Sequence, residues 1–124
     1  MPISLSYTSL TRYPDGMVVV TVVLAPKQDR RGEVDRLLKS FRASLVEHPP
    51  DGMQGLVVLR AESGELLVEG HWRDADSHRT YRANPGGAQL FRELAACCDR
   101  PPVTYYGTPD PTLSFDADRR TAQR

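Results

Sequence analysis

Little in this chain points to a strongly charged or membrane-bound partner. Sixteen basic residues are balanced by sixteen acidic ones, and no basic run is interleaved with aromatics, so nucleic acid is not an expected partner. No apolar stretch approaches the roughly 20 residues of a membrane helix. The N-terminus lacks the basic start and long apolar middle of a secretory signal. Cysteine is scarce: Cys97 and Cys98 are neighbours in the chain and cannot form an ordinary disulfide with each other. A reduced, cytoplasmic setting is the expectation. The three histidines, at 48, 71 and 78, fall on different predicted elements with no carboxylate at ligand spacing, so no metal site is expected. There is no glycine-rich phosphate loop and no dinucleotide fingerprint, and Gly86-Gly87 is too short to count as one. No bound cofactor is expected either.

What is present reads as one domain with a modest core, in keeping with 124 residues. Residues 17–24 are a β-branched run and predict a strand. From about 30 to 48, Val34, Leu37, Leu38, Phe41 and Leu45 recur at helical spacing, with Asp29 a plausible N-cap. Residues 54–61 and 65–72 read as strands joined by a turn at Glu62-Ser63-Gly64. Asn84-Pro85 suits a cap followed by proline at the first helical position, opening a helix that runs to about Cys98 with Ala88, Phe91 and Leu94 on its apolar side. Residues 103–107 predict a fourth strand. Residues 1–16 are an arm, 17–107 the domain, and 108–124 a polar tail.

The order β-α-β-β-α-β is that of the ferredoxin-like split motif, an α+β fold with an antiparallel four-stranded sheet. Its helices cover one face only. The strands at 17–24 and 54–61 are apolar on both faces, which predicts a homodimer with the second faces packed together.

The chain is organised around residues 66–85. Here Leu66, Val68, Gly70 and Trp72 share one strand face, and Leu67, Glu69 and His71 the other. Asp74 then offers a cap, and His78 and Tyr81 follow on neighbouring faces of a helical turn or two. A cavity is expected between sheet and helices, lined by Trp72, Phe41 and part of 74–84. Trp72 either packs the core or walls a pocket. His78 is either solvated or the group that moves protons near neutral pH. Tyr81 either orients a ligand or adds an apolar ring. His48 suits a helix C-terminus, His71 faces the second sheet, and the cysteines are inert.

The element order, the strand ending in Trp72 and the Asn84-Pro85 restart resemble the antibiotic biosynthesis monooxygenases of the dimeric α+β barrel superfamily, over roughly residues 17–107. That family's pattern has an aromatic residue six positions after the tryptophan and a histidine nine after. Here those positions hold His78 and Tyr81, so the two types are exchanged. Where the phenol-oxidising members carry an asparagine, four before the tryptophan, this chain has Val68; the arginine about twenty after is Arg92.

The resemblance implies a cofactor-independent monooxygenase that oxidises a phenolic or anthrone-type polyketide with O2 to a quinone. His78, Trp72 and Arg92 would be catalytic, and Tyr81, Phe41, Val68 and Leu66 would bind substrate. A polyketide cyclase of the same superfamily, or a non-catalytic accessory dimer, are the alternatives it leaves open.

Overall fold

Six of the seven residues of β1 (Val18–Leu24) are β-branched, side chains that favour a pleated, packed surface, and this strand takes a central place in the sheet. The computed structural model describes residues 16–115 and 117. Apart from Gly16, the arm expected over 1–16 lies outside the described residues, as does the tail beyond 115 except residue 117. After β1, a 3-10 turn at Gln28–Arg30 leads into α1 (Arg31–Glu47). Asp29 lies inside that turn and caps nothing; the first residue before α1 is Arg30, which makes no side-chain cap. The apolar stripe is as expected, with Val34 and Leu37 buried beneath the helix. His48 ends α1, its backbone N–H donating to the Ser44 carbonyl at 2.8 Å while its ring stays in solvent beside Glu47.

β2 (Met53–Arg60) and β3 (Leu66–Trp72) form a hairpin. The Ala61 N–H donates to the Glu65 carbonyl at 2.9 Å, and Gly64 supplies the positive φ, 95°, that the turn needs. β4 (Val103–Gly107) falls where the sequence places it. The sheet order is β2-β3-β1-β4, antiparallel throughout. This is the α+β ferredoxin-like fold.

Two side chains set the corner between β3 and the remaining helices. The Asp74 carboxylate accepts from the Ser77 N–H and the Ser77 hydroxyl, both at 2.8 Å, and starts α2 (Ala75–Ala83). The backbone and side-chain hydrogen bonds from Ser77 hold that carboxyl below its ordinary pKa. α2 is nine residues long, more than the one or two turns its sparse apolar pattern predicts. Asn84 ends α2 and begins α3 (Pro85–Ala96), its side chain accepting from the Gly86 N–H at 2.9 Å.

All three helices pack on one face. Beneath them Leu24, Val34, Leu37, Leu66, Leu94, Cys97 and Cys98 form one buried cluster, and Val18, Val20 and Trp72 form another. At about 1.5–3 kcal/mol for each fully buried large apolar side chain, these clusters carry most of the drive to fold. The opposite face of the single chain is open. Val57, Leu59, Val103 and Tyr105 there are 44–61% exposed, around a His71–Glu69 contact of 3.0 Å.

Candidate active site

Trp72 ends β3 on the helix-facing side and is 2% exposed. Its ring is admitted by Gly70, two residues earlier on the same face: a Cβ there would lie 2.9 Å from the indole Nε1. Among the described residues no acceptor meets that N–H, although a buried indole ordinarily finds one. His78 reaches the same region from α2 and is 5% exposed. Its ring stands edge-on to Trp72, with centroids 5.2 Å apart. Nδ1 lies 2.8 Å from the Tyr106 hydroxyl on β4, and Nε2 has no partner among the described residues.

Tyr81 completes the wall, 5.7 Å from Trp72 and 6.3 Å from Phe41 of α1. Burial raises its phenol above the ordinary pKa. Gly87, in the first turn of α3, gives Tyr81 its room, since a Cβ at this position would collide with the Tyr81 carbonyl and crowd its ring. These groups enclose a cavity of about 80 Å³ between sheet and helices, where it was expected, with Val68 and Phe41 among its walls.

The electrostatics are one-sided. Burial, then the positive charges of Arg82 and Arg79, lowers the His78 pKa to about 4. The imidazole is therefore neutral at pH 7, able to accept or donate a hydrogen bond. Arg82 follows His78 by four residues and lies on the same helical face. It lines the cavity with its guanidinium carbon 3.9 Å from the Phe91 ring centroid. No acidic side chain lines the cavity among the described residues.

Two residues of the expected site are elsewhere. Arg92 is exposed and donates to Gln89 on its own helix at 2.9 Å. It follows Phe91 by about 100° around α3, so when Phe91 faces the cavity Arg92 faces water. Leu66 is 1% exposed in the core cluster and does not reach the cavity wall. Arg82, Phe91 and Tyr106 are the additions. Arg82 was legible from its spacing to His78, whereas Tyr106 needed the pairing of Val20 with Tyr106 across β1 and β4.

Larger hollows exist without this furniture. A groove of about 560 Å³ runs between α1 and the edge strand β2, lined by Leu38, Leu45, Arg42 and Met53 among others. It holds no buried titratable group. No cluster of three His, Cys, Asp or Glu suited to a metal occurs among the described residues. No helix of the described chain is long and apolar enough to cross a membrane.

No protein-family model matches this chain, and no curated protein matches it in sequence. Solved structures do match in fold. Rv0793 from Mycobacterium tuberculosis is 19% identical with a TM-score of 0.68, over 82% of this chain and 98% of that one. A candidate antibiotic biosynthesis monooxygenase from Caulobacter crescentus is 15% identical with a TM-score of 0.68, over 80% and 94%. Another from Deinococcus radiodurans is 18% identical with a TM-score of 0.66, over 81% and 99%. The chain has the fold shared by the solved antibiotic biosynthesis monooxygenase structures.

Proposed function

We propose that this protein is a cofactor-independent monooxygenase that oxidises a phenolic aromatic with O2 to a quinone. The observation that carries the reading is the buried, neutral His78 set edge-on to Trp72 in an apolar, aromatic-walled cavity. A flat ring lies among Trp72, Tyr81 and Phe41, with its oxygen against the indole N–H and the free imidazole nitrogen. Loss of the phenolic proton gives an electron-rich anion. Electron transfer to O2 and recombination at ring carbon form a hydroperoxide, and loss of water leaves the quinone. A simple phenol and O2 thus become a quinone and one water, with the electrons coming from the substrate itself.

Two features shape the reading. The cavity, about 80 Å³, is smaller than the roughly 150 Å³ hole that takes up benzene. One phenolic ring therefore requires a small outward shift of the wall, and an anthrone-type polyketide requires Phe41 or Phe91 to swing away. Proton transfer from a phenol of pKa about 10 to an imidazole of pKa about 4 is also uphill, by roughly 8 kcal/mol. His78 alone cannot supply that, so the anion must be stabilised in place.

The reading includes a homodimer. The exposed apolar residues on the open sheet face, Val57, Leu59, Val103 and Tyr105, form a patch of a kind that soluble proteins usually cover. Val68 lines the cavity at the position where the phenol-oxidising members carry an asparagine, and that departure leaves room for one rival reading, a polyketide cyclase using the same space. Oxygen uptake with a panel of mono- and polycyclic phenols that carry hydrogen para to the hydroxyl, beside a poly-β-ketone, tests the choice. Uptake that requires His78 supports the oxygenase, and product formation at equal rate under nitrogen replaces it with the cyclase.

A further inference from the structure

Among the described residues the cation at the cavity has no anion. Among the described residues no carboxylate lies within 4.0 Å of the Arg82 guanidinium, whereas Arg36, Arg60, Arg73, Arg79 and Arg100 are each paired with Asp or Glu. Arg82 is half-buried and is the one charged side chain on the cavity wall among the described residues. Phe91 fixes it from below by a cation–π contact at 3.9 Å. A guanidinium held over a ring at an apolar wall is pre-organised to bind planar anionic oxygen.

We propose that the cavity binds hydroxyarenes in their ionised form, as phenolates, with Arg82 as the counter-ion that determines this specificity. The proposal rests on the monooxygenase reading for the ligand's ring chemistry, and it makes Arg82, not Arg92, the residue that meets the developing charge.

The surroundings agree from every side. On α2, His78 is neutral at pH 7 and Tyr81 is a buried phenol; Arg79 is turned to Asp76 at 3.0 Å. α1 contributes Leu38 and Phe41, and α3 contributes Gly87, Leu90, Phe91 and Leu94. The strands contribute apolar side chains, Gly70 and Trp72, and β4 adds the Tyr106 hydroxyl against His78. Among the described residues no element presses a negative charge on the site to oppose an anion there.

The proton has a route out. Nε2 of His78, without a partner among the described residues, takes it, and Nδ1 passes a proton to Tyr106, a residue 49% exposed that exchanges with water. The imidazole ends neutral, the ligand ends anionic, and the proton ends in solvent.

The test uses the full chain and 4-nitrophenol, whose phenolate absorbs visible light and whose phenol does not. Titrating the bound ligand against pH should give an ionisation midpoint at least about one pKa unit below that of free 4-nitrophenol, a tenfold shift. Arg82→Gln should move the midpoint back to the free value and weaken binding at least tenfold, while Arg82→Lys, which keeps a charge, should recover part of the shift. An unshifted or raised midpoint in the wild type overturns the proposal. So does an unchanged midpoint in Arg82→Gln, or no binding of 4-nitrophenol by the wild type at millimolar concentration. The outcome is separable from that of the oxygenase reading. Phenolate binding without oxygen uptake upholds Arg82 and removes the oxygenase, and oxygen uptake with an unshifted bound phenol does the reverse.

Discussion

Acid should destabilise this protein through His78 before it protonates most carboxylates. The imidazole has its pKa lowered to about 4 in the fold, against about 6.5 in the unfolded chain. Between those values the unfolded chain binds more protons than the native one, so stability rises with pH across the window. The contribution is fully present above pH 6.5 and is lost as pH falls through 6.5 to 4. The gap corresponds to roughly 3 kcal/mol, a large share of the 5–15 kcal/mol typical of a domain. The assay is urea unfolding from pH 7.5 to 4, in wild type and in His78→Gln. Gln keeps a polar side chain but cannot ionise, so the comparison cancels the other two histidines and the carboxylates. Wild type should lose roughly 3 kcal/mol more than the variant over that window. Parallel pH curves for the two proteins, or a wild-type curve less steep than the variant's, would refute the reasoning. A His78 ring resonance titrating near 6.5 by NMR would refute it independently.

Other outcomes follow from single contacts. Gly70→Ala should cost about 1–3 kcal/mol by overpacking, because its Cβ would lie 2.9 Å from the Trp72 Nε1; the emission of the sole tryptophan should shift with it, and an unchanged spectrum and stability would count against the packing. Asp74→Ala removes the acceptor for two Ser77 donors and should cost about 1 kcal/mol by chemical denaturation. Leu59→Asp places a charge on the open sheet face, where Leu59 is 48% exposed. Light scattering should show wild-type dimer and variant monomer, and a wild-type monomer at micromolar concentration would remove the proposed assembly.

Local chemistry was the legible part of the fold. Asp74 and Asn84-Pro85 announce their caps within three residues, and the β-branched run of β1 needs no tertiary context. The order of elements followed from periodicity together with turn and cap signals, and the cavity beside Trp72 from the strand face that Leu66, Val68 and Trp72 share. Boundaries slipped where the backbone departs from regularity. β2 starts at Met53 because the register shifts between Met53 and Gly55, and α1 starts after Asp29 because a 3-10 turn precedes it. The length of α2 was hidden because its inward face presents a histidine and a tyrosine instead of aliphatic residues.

Site composition was harder to read, since it depends on angle and register. Arg92 matches the spacing from Trp72 but is exposed to water, while Arg82, whose one signal is its four-residue offset from His78, lines the cavity. Tyr106 lies 28 residues from His78 and meets it only because antiparallel pairing brings β4 beside β1.

In the proposed mechanism O2 itself supplies the oxygen added to a phenolic ring bound beside His78 and Trp72. The measurement is turnover of a phenol that carries hydrogen at the carbon para to its hydroxyl, under isotopically heavy oxygen gas, with the product weighed by mass spectrometry. One heavy oxygen atom per quinone formed, and at least a hundredfold slower formation with His78→Ala, is the expected result. A product without heavy oxygen, or one formed equally well under nitrogen, would contradict the account.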